Sequence, residues 1–375
     1  MSGISRREFL KITTSQAAAV TIGGCAVFNK KQSSAVPSYL KGYEKLYAQD
    51  PLKAALQWFK DAKFGLFMHY GVYSQLGEGE WVQYKKKIAV AEYENLKNRF
   101  TAENFDADFI TDLALEAEMK YVNITTMHHD GFCLFRTKQT DFNSLNSPAK
   151  RDLVGELAEA CRKKELGLCL YYSHGRHWRH PHAPNNDVWG GNARPEYEKP
   201  EPAYAVGAEH DLQKYVDYIN AQVTELLTQY GPIANIWFDG WAVPKKGPTE
   251  KFKIPQTYEL VRRLQPQTLI SYKWGITGTE DFLAPEFHWK EKKTGPTNKP
   301  IEICTHIAGW GYWKQNDGKH RGPDSIMENL ADAEKYNANL LLNTAPLPDG
   351  SIDKQDMETL REIGRRLRKT GGNKS

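Results

Sequence analysis

Short apolar runs alternate with amphipathic segments along the chain from residue 51 onward. Seven of these runs are typical of buried strands: Phe64–Gly71, Tyr121–His128, Leu166–Ser173, Ala234–Asp239, Thr268–Trp274, Ile301–Ile307 and Asn339–Asn343. Helical periodicity separates them, as in Asp152–Lys164, Leu212–Tyr230, Gln256–Leu264 and Ser325–Tyr336. This alternation predicts an α/β fold whose parallel strands are joined by crossover helices.

The number of strand-like runs favours a closed barrel. Seven runs plus one hidden strand would complete a (β/α)8-like TIM barrel, for which about 300 residues are enough. An open doubly wound sheet is the alternative, but no glycine-rich dinucleotide or phosphate loop follows any run. We therefore expect one catalytic barrel over residues 37–375, which ends in a helix after the turn Pro346–Gly350 and carries no C-terminal β-sandwich.

Polar and ionisable residues follow nearly every predicted strand at its carboxyl end. They are His69, His128, His129, Asp130, Tyr172, His174, Asp239 and Lys273. Barrel enzymes build their active sites at that end of the strands. The long segment Gly175–His210 would cover the barrel mouth, because loops of this length in compact domains are usually functional.

The first 36 residues have the features of an export signal and a tether. Ser5–Lys11 contains the arginine pair of a twin-arginine signal, and the weakly apolar stretch Ile12–Gly24 follows it. This stretch is too short to span a bilayer as a stable helix. It ends at Cys25, as in a bacterial lipoprotein cleavage box, although a plain cleaved signal with an incidental cysteine is the alternative. We expect a periplasmic or outer-surface lipoprotein that touches the membrane only through its lipid.

Composition narrows the classes of partner. The net charge of +4 arises from 50 basic and 46 acidic residues spread along the chain, which argues against nucleic acid. The 10 Trp and 19 Tyr residues suit sugar binding, although they would also fill a large core. The cysteines other than Cys25 show neither CxxC nor Cys/His metal spacing, so we expect them in the core and predict neither metal nor cofactor.

One carboxylate stands at the tip of an apolar strand. Asp239 ends Ile236–Asp239 and precedes a glycine, which lets a ligand approach closely, although an aspartate that caps a turn has the same signature. Glycoside hydrolysis with retention needs a second carboxyl group about 5 Å away. The candidates are Glu286 and Glu302, and Glu80 is a third carboxyl group expected at the same pocket.

Two groups of histidines admit a metal or a sugar. Adjacent side chains such as His128 and His129 diverge, so hydrogen bonds to sugar hydroxyls are favoured over a shared metal. A second group follows the third strand-like run and consists of His174, His177, His180 and His182. Arginine and tryptophan residues are interleaved with it, which favours contact with substrate or packing of the loop.

The motifs together resemble those of the glycoside hydrolase family 29 α-L-fucosidases. The matching stretches are Trp58–Gly71, Gly79–Trp81, His128–Phe132, Arg151–Leu157, Leu170–Ser173, Trp237–Gly240 and Asn339–Asn343. The resemblance implies a retaining exo-α-L-fucosidase that removes terminal fucose from oligosaccharides or polysaccharides, with Asp239 as the nucleophile. It further implies fucose contacts from His69, Glu80, Trp81, His128, His129, Tyr171 and Trp237. Spacing favours Glu286 as the acid/base, with Glu302 in reserve.

The chain departs from the family pattern in four places. Tyr70 replaces the tryptophan of the usual His-Trp-Gly, and Lys273 stands where many members carry arginine. Lysine is a point donor without a bidentate fork, so hydroxyl recognition at Lys273 would differ. The insertion His177–Asn186 and the expected absence of the β-sandwich complete the set. Two other hypotheses remain, a metal-dependent barrel hydrolase and a catalytically inactive sugar-binding lipoprotein.

Overall fold

The architecture is a barrel of parallel strands surrounded by helices. The computed structural model describes residues 35–190, 192–286 and 298–371. Its named strands are β1 (Phe64–Met68), β2 (Tyr121–Met127), β3 (Gly167–Ser173), β4 (Asn235–Asp239), β5 (Leu269–Tyr272), β6 (Glu302–His306) and β7 (Asn339–Thr344). All neighbours pair in parallel in the order β5-β4-β3-β2-β1-β7-β6. Each lies within one of the seven predicted runs or differs from it by a single residue, so those predictions are confirmed.

A short segment closes the ring between the two edge strands. Ser271 of β5 pairs in parallel with Phe282, and Leu283 pairs in parallel with Ile301 just before β6. The amide of Asp281 donates to the carbonyl of Ile270 at 2.8 Å on one side of this segment. Residues 281–284, hereafter the closing segment, therefore occupy the eighth position, which the sequence predicted as a hidden strand.

In the described part of the chain, seven helices of ten or more residues pack around the strands. They are α1 (Pro51–Ala62), α2 (Ala107–Glu116), α3 (Leu153–Lys163), α4 (Leu212–Gln229), α5 (Ile254–Leu264), α6 (Pro323–Lys335) and α7 (Lys354–Gly371). An aspartate side chain caps each of the first four by accepting from a backbone amide of the first turn: Asp50, Asp106, Asp152 and Asp211. These caps satisfy amides that have no partner within the helix, which fixes where each helix begins.

The strands are buried on both faces. Every residue of β1 to β5 and of β7 is buried, because inward side chains fill the barrel and outward ones pack under helices. Phe67, Tyr171 and Trp237 project inward, with ring centroids 5.6–5.9 Å apart. A packed interior of this kind leaves the carboxyl ends of the strands as the place for a site.

The segment Gly175–His210 lies against the mouth of the barrel, as expected. It contains the short helix Asn186–Trp189, and the buried Arg194 donates to four backbone carbonyls within the segment. Trp178 packs edge-on against Trp81 at 5.2 Å between ring centroids. We call this segment the roof loop.

Residues Met1–Val36 form one unit, and Pro37–Ser375, which include the barrel, form another. The twin-arginine motif and Cys25 lie outside the described residues. Among the helices that the structure describes, none has the length and apolar character needed to cross a bilayer. The other four cysteines, Cys133, Cys161, Cys169 and Cys304, are buried free thiols, as predicted.

Candidate active site

A cavity of about 340 Å³ opens at the carboxyl ends of the strands. Eight residues predicted for the site line it: His69, Glu80, Trp81, His128, His129, Asp239, Lys273 and Glu286. Its volume suits a single small ligand such as one sugar ring. The strand-end rule predicted five of them from the sequence, whereas Glu80, Trp81 and Glu286 came from the search for carboxyl groups and from the family resemblance.

Asp239 ends β4 and is buried in the cavity wall. Its Oδ2 accepts a hydrogen bond of 2.6 Å from the Tyr171 hydroxyl, and its Oδ1 lies 3.1 Å from the Lys273 ammonium. Burial alone would raise the pKa of Asp239, but the Lys273 ammonium and the hydrogen bond from Tyr171 reverse the effect and lower that pKa below its ordinary value. Asp239 is thus held as a carboxylate, the form that a nucleophile needs.

Glu286 follows the closing segment and meets the same ammonium. Its Oε1 forms an ion pair with Lys273, and its side chain is 30% exposed to the cavity. Burial and the nearby charge of Asp239 raise the pKa of Glu286, against the opposing effect of Lys273. Because one ammonium contacts both groups, the two carboxyl groups are close neighbours, as a retaining mechanism requires. Two carboxyls whose pKa values are pushed apart suit a nucleophile and an acid.

The tautomer of His69 is fixed from behind by Asn343. The Asn343 amide donates from Nδ2 to the carbonyls of Gly309 and Trp310 at 2.7 and 2.8 Å, so its Oδ1 faces His69. That oxygen accepts from Nδ1 of His69 at 2.7 Å. Burial lowers the pKa of His69 to about 3, so the ring is neutral and Nε2 is left as an acceptor.

His129 is oriented in a similar way by Ser173. The Ser173 hydroxyl donates to the carbonyl of Arg176 at 2.7 Å and accepts from Nδ1 of His129 at 2.5 Å. Burial lowers the pKa of His129 well below its ordinary value, so Nε2 is an acceptor lying 3.8 Å from Asp239 Oδ2. The adjacent His128 is also buried, and its Nδ1 has no hydrogen-bond partner within the described residues.

Glu80 and Trp81 enter from the loop after β1. The Glu80 carboxylate accepts from the amide of Gly311 at 2.8 Å, and burial raises its pKa. Trp81 packs edge-on against His129 at 5.2 Å between ring centroids, and the Arg176 guanidinium lies 5.3 Å from its ring. The cavity therefore combines hydrogen-bonding groups with an aromatic wall, which is the composition of a carbohydrate site.

Comparison with known proteins points to one family. The family model described as alpha-L-fucosidase matches residues 28–372. The chain belongs to the α-L-fucosidase family. It is 28% identical to bovine tissue α-L-fucosidase over 88% of this chain and 70% of that protein. It is 26% identical to a putative α-L-fucosidase 1 of rice over 84% of this chain, but spans only 58% of that longer protein.

Solved structures of α-L-fucosidases superpose on the barrel. Isoenzyme 1 from Paenibacillus thiaminolyticus aligns with a TM-score of 0.76 and 32% identity, over 86% of this chain and 77% of that one. AlfC from Lactobacillus casei in complex with α-L-fucose aligns with a TM-score of 0.71 and 29% identity, over 84% of this chain and 99% of that one. The TIM-barrel prediction and the family resemblance are thereby confirmed.

Three residues predicted for the site lie below the cavity. Glu302 begins β6, so it occupies the amino end of the barrel, where its carboxyl accepts from the Tyr121 hydroxyl at 2.8 Å and from Trp237 Nε1 at 2.9 Å. Its placement as a reserve acid/base is corrected, because a group at that end cannot share a sugar with Asp239. Trp237 and Tyr171 do not line the cavity either, and they support Lys273 and Asp239 from beneath.

The contacts of Asp239 argue against the metal-dependent alternative. Ligand atoms of His128, His129 and Asp239 lie within 4.8 Å of one another, close enough in principle for one ion. However, both oxygens of Asp239 are already engaged, one by the Lys273 ammonium and the other by Tyr171. A divalent cation would have to displace or face a resident ammonium, so the residues fit a metal poorly.

Four cavity residues were not predicted for the site, Trp241, Ala242, Trp274 and Trp310, whereas Arg176 is one of the interleaved arginines for which the sequence left substrate contact or loop packing open. Trp241, Trp274 and Trp310 follow the carboxyl ends of β4, β5 and β6, so the strand-end rule would have found them had it been extended beyond ionisable residues. Asn343 and Ser173 act behind the histidines, and only the pairing of strands shows their partners.

Proposed function

We propose that the chain is a retaining exo-α-L-fucosidase. The observation that carries the proposal is the pairing of Asp239 and Glu286 on one ammonium in a cavity sized for a sugar ring. The opposite directions of their pKa shifts match the two roles. Family membership and the solved complex of AlfC with 4-nitrophenyl α-L-fucopyranoside support fucose as the sugar.

The first step would transfer the sugar to Asp239. A carboxylate oxygen of Asp239 attacks the anomeric carbon while the bond to the leaving oxygen breaks, and Glu286 gives its proton to that oxygen. The products are a covalent fucosyl-Asp239 ester, ionised Glu286 and the free alcohol. Tyr171 holds the nucleophile at 2.6 Å and so limits its rotation during attack.

The second step would return the enzyme to its starting state. Ionised Glu286 takes a proton from water, the water oxygen attacks the anomeric carbon, and the bond to Asp239 breaks. Glu286 is protonated again, Asp239 is a carboxylate again, and fucose leaves. Two inversions at one carbon give net retention of configuration.

Recognition of the sugar would rest on acceptors and one aromatic wall. Nε2 of His69 and Nε2 of His129 each accept a sugar hydroxyl, because both Nδ1 atoms are already used. The Glu80 carboxylate supplies a further acceptor, and Trp81 packs against the apolar part of the ring. A cavity of about 340 Å³ holds one terminal residue, which supports exo action.

A panel of aryl glycosides tests this function. We expect release of 4-nitrophenol from the α-L-fucoside, weaker release from the α-L-galactoside, which adds one hydroxyl, and none from β-D-glycosides. Proton NMR of the first-formed product should show the α anomer before mutarotation. Turnover of a β-D-glycoside in preference to the fucoside, or a β anomer first, would contradict the proposal.

We also propose that the chain is an exported lipoprotein acylated at Cys25. The family match begins at residue 28, and the barrel unit begins at Pro37, so the signal lies outside both. The natural partner would then be a fucosylated glycan met outside the cytoplasm. AlfC was solved with Fucα(1,6)GlcNAc, which shows the kind of disaccharide that one relative binds.

Fractionation of bacterial cells expressing the full chain tests the anchor. We expect membrane association and a diacylglycerol mass increment on the peptide that begins at Cys25. Cys25→Ala should remain uncleaved, whereas Cys133→Ala serves as the control because that thiol is buried in the barrel. A soluble periplasmic protein with an unmodified Cys25 would contradict lipidation.

A further inference from the structure

The side chain of Lys273 has no ionisable partner other than the two carboxylates among the contacts that the structure describes. Its ammonium lies 3.1 Å from Asp239 Oδ1, forms an ion pair with Glu286 and stands 4.8 Å above the ring of Trp237. An ammonium has three donors, and these neighbours already satisfy its charge. The side chain is 12% exposed and lines the cavity.

The backbone also sets Lys273 between the two groups. It follows β5 with φ of 49°, a left-handed conformation that lysine adopts less readily than glycine. Its carbonyl accepts from the amide of Ala284 at 2.8 Å, which ties it to the closing segment that carries Glu286. Strain kept at a site indicates that the position of the side chain matters there.

We propose that Lys273 is a positioning residue whose ammonium is the shared counter-ion of Asp239 and Glu286, and that it pairs with Glu286 alone once Asp239 is esterified. The inference rests on the proposed retaining mechanism. In the free enzyme the ammonium holds both carboxyls in range of one anomeric carbon. Ester formation removes the charge of Asp239, so the full field of Lys273 then favours ionised Glu286, the form that activates water.

Other titratable groups surround Asp239 and Glu286, and their charge states bear on the pKa values of the pair. Two further ionisable side chains of the cavity wall lie near the pair, the basic Arg176 and the acidic Glu80. Burial lowers the pKa of His69, His128 and His129, so these imidazoles are neutral. Burial raises the pKa of Tyr171, Tyr272 and Cys304, so these groups stay protonated. Among the described residues, Lys273 is therefore the cation that contacts both carboxyl groups, and its removal should move their titration together.

The pH dependence of kcat/KM in three variants tests the assignment. Lys273→Met removes the positive charge and keeps a side chain of similar length. Because loss of a cation raises the pKa of both carboxyl groups, we expect both limbs of the profile to move to higher pH by roughly one unit or more. Lys273→Arg should keep the limbs near their original places. Lys253→Met is the matched control, since Lys253 is exposed and also has a positive φ, of 51°.

Pre-steady-state kinetics test the second half of the proposal. With an activated aryl fucoside, Lys273→Met should show a burst of phenol, because protonated Glu286 slows attack by water and the ester accumulates. We expect kcat to fall at least tenfold while KM falls with it. A raised KM with unmoved limbs and no burst would make Lys273 a sugar-binding donor and overturn the proposal.

A measurement without turnover separates this inference from the function on which it rests. Carbon-13 NMR can follow the titration of both side-chain carboxyl groups, whose resonances are assigned with Asp239→Asn and Glu286→Gln. In Lys273→Met, we expect the titration midpoint of each carboxyl group to move to higher pH. If the wild-type chain hydrolyses no fucoside, the proposed function fails, yet this titration still tests the pairing. Unchanged titration in a folded Lys273→Met protein, judged by its melting temperature, would refute the shared counter-ion.

Discussion

Two buried carboxyl groups stand at opposite ends of the same barrel and have opposite surroundings. Asp239 ends β4 and faces the Lys273 ammonium at 3.1 Å. Glu302 begins β6 and faces two uncharged donors, the Tyr121 hydroxyl and the Trp237 indole, at 2.8 and 2.9 Å. Both groups are less than 10% exposed, so burial alone does not distinguish them.

The difference lies in what replaces water. Burial raises the pKa of Glu302 to about 7, and its two hydrogen bonds only partly offset this. At Asp239 the cation reverses the same effect and leaves an ionised group beside a cavity. A carboxyl group at the amino end of the strands is thus part of the core, whereas one at the carboxyl end is poised for chemistry.

Replacement of Asp239, the proposed nucleophile at the carboxyl end of the strands, should lower activity more than any other change considered. We expect Asp239→Gly to lower kcat by about 10⁴-fold or more on an aryl fucoside, because no ester forms. Azide should restore part of the activity and give a fucosyl azide of inverted configuration, which NMR identifies. Full residual activity without azide would exclude Asp239 as the nucleophile.

Replacing the acid should give a smaller effect that depends on the leaving group. We expect Glu286→Ala to lower kcat/KM by about 10²- to 10³-fold on a fucosyl disaccharide, since a sugar alcohol needs a proton to leave. An activated aryl fucoside, whose phenolate leaves unaided, should lose far less in the first step. Equal losses on both substrates, measured side by side, would argue that Glu286 is not the acid.

Glu302→Gln tests the other end of the barrel. The folded pKa of about 7 exceeds the ordinary 4.5, so the unfolded chain releases this proton first as the pH rises. Protonated Glu302 therefore makes its whole contribution to folding stability below about pH 4.5, and that contribution is lost as the pH rises toward 7. A neutral amide avoids that loss, so we expect Glu302→Gln to be up to about 3 kcal/mol more stable at pH 8.

The activity of the same variant should change little, by less than about tenfold, because the carboxyl group lies outside the cavity. Denaturant unfolding at pH 5 and pH 8 gives the stability difference, and Glu302→Ala serves as a comparison that leaves both donors unpaired. If Glu302→Gln lost its activity and the basic limb of its pH profile disappeared, Glu302 would be the acid/base after all.

Removal of metal should have the smallest effect. A resident ammonium already neutralises Asp239, so we expect activity after dialysis against a chelator to stay within about twofold of the untreated enzyme. Elemental analysis of the same sample gives the metal content. Loss of activity that added zinc restores would favour the metal-dependent alternative and alter the account of the cavity.

Much of the fold and site was predictable because parallel strands impose a common direction. Residues after apolar runs, such as His69, Asp239 and Lys273, had to meet at one face, whatever the crossover lengths. The same rule, applied strictly, would have rejected Glu302, which stands near the start of its run rather than after its end. Glu302 became a candidate through the search for a second carboxyl group, which did not weigh its place in the strand.

Other features depended on contacts between distant parts of the chain. That Lys273 pairs with Asp239 and Glu286 follows from its left-handed backbone and from the closing segment, neither of which has a sequence pattern. The closing segment is too short for period-two alternation to reveal it. The tautomer of His69 depends on Asn343, 274 positions away, which no local motif predicts.

The brevity of the closing segment has a consequence for how this enzyme could diversify. This segment, which precedes the proposed proton donor Glu286, pairs with each neighbour through one β-bridge, whereas β4, which ends in Asp239, pairs along its length with both neighbours. Insertions or deletions near Glu286 would therefore shift the proton donor, and the leaving groups it serves, while the nucleophile stays in register. New glycan linkages are more accessible to such a chain than new reaction chemistry.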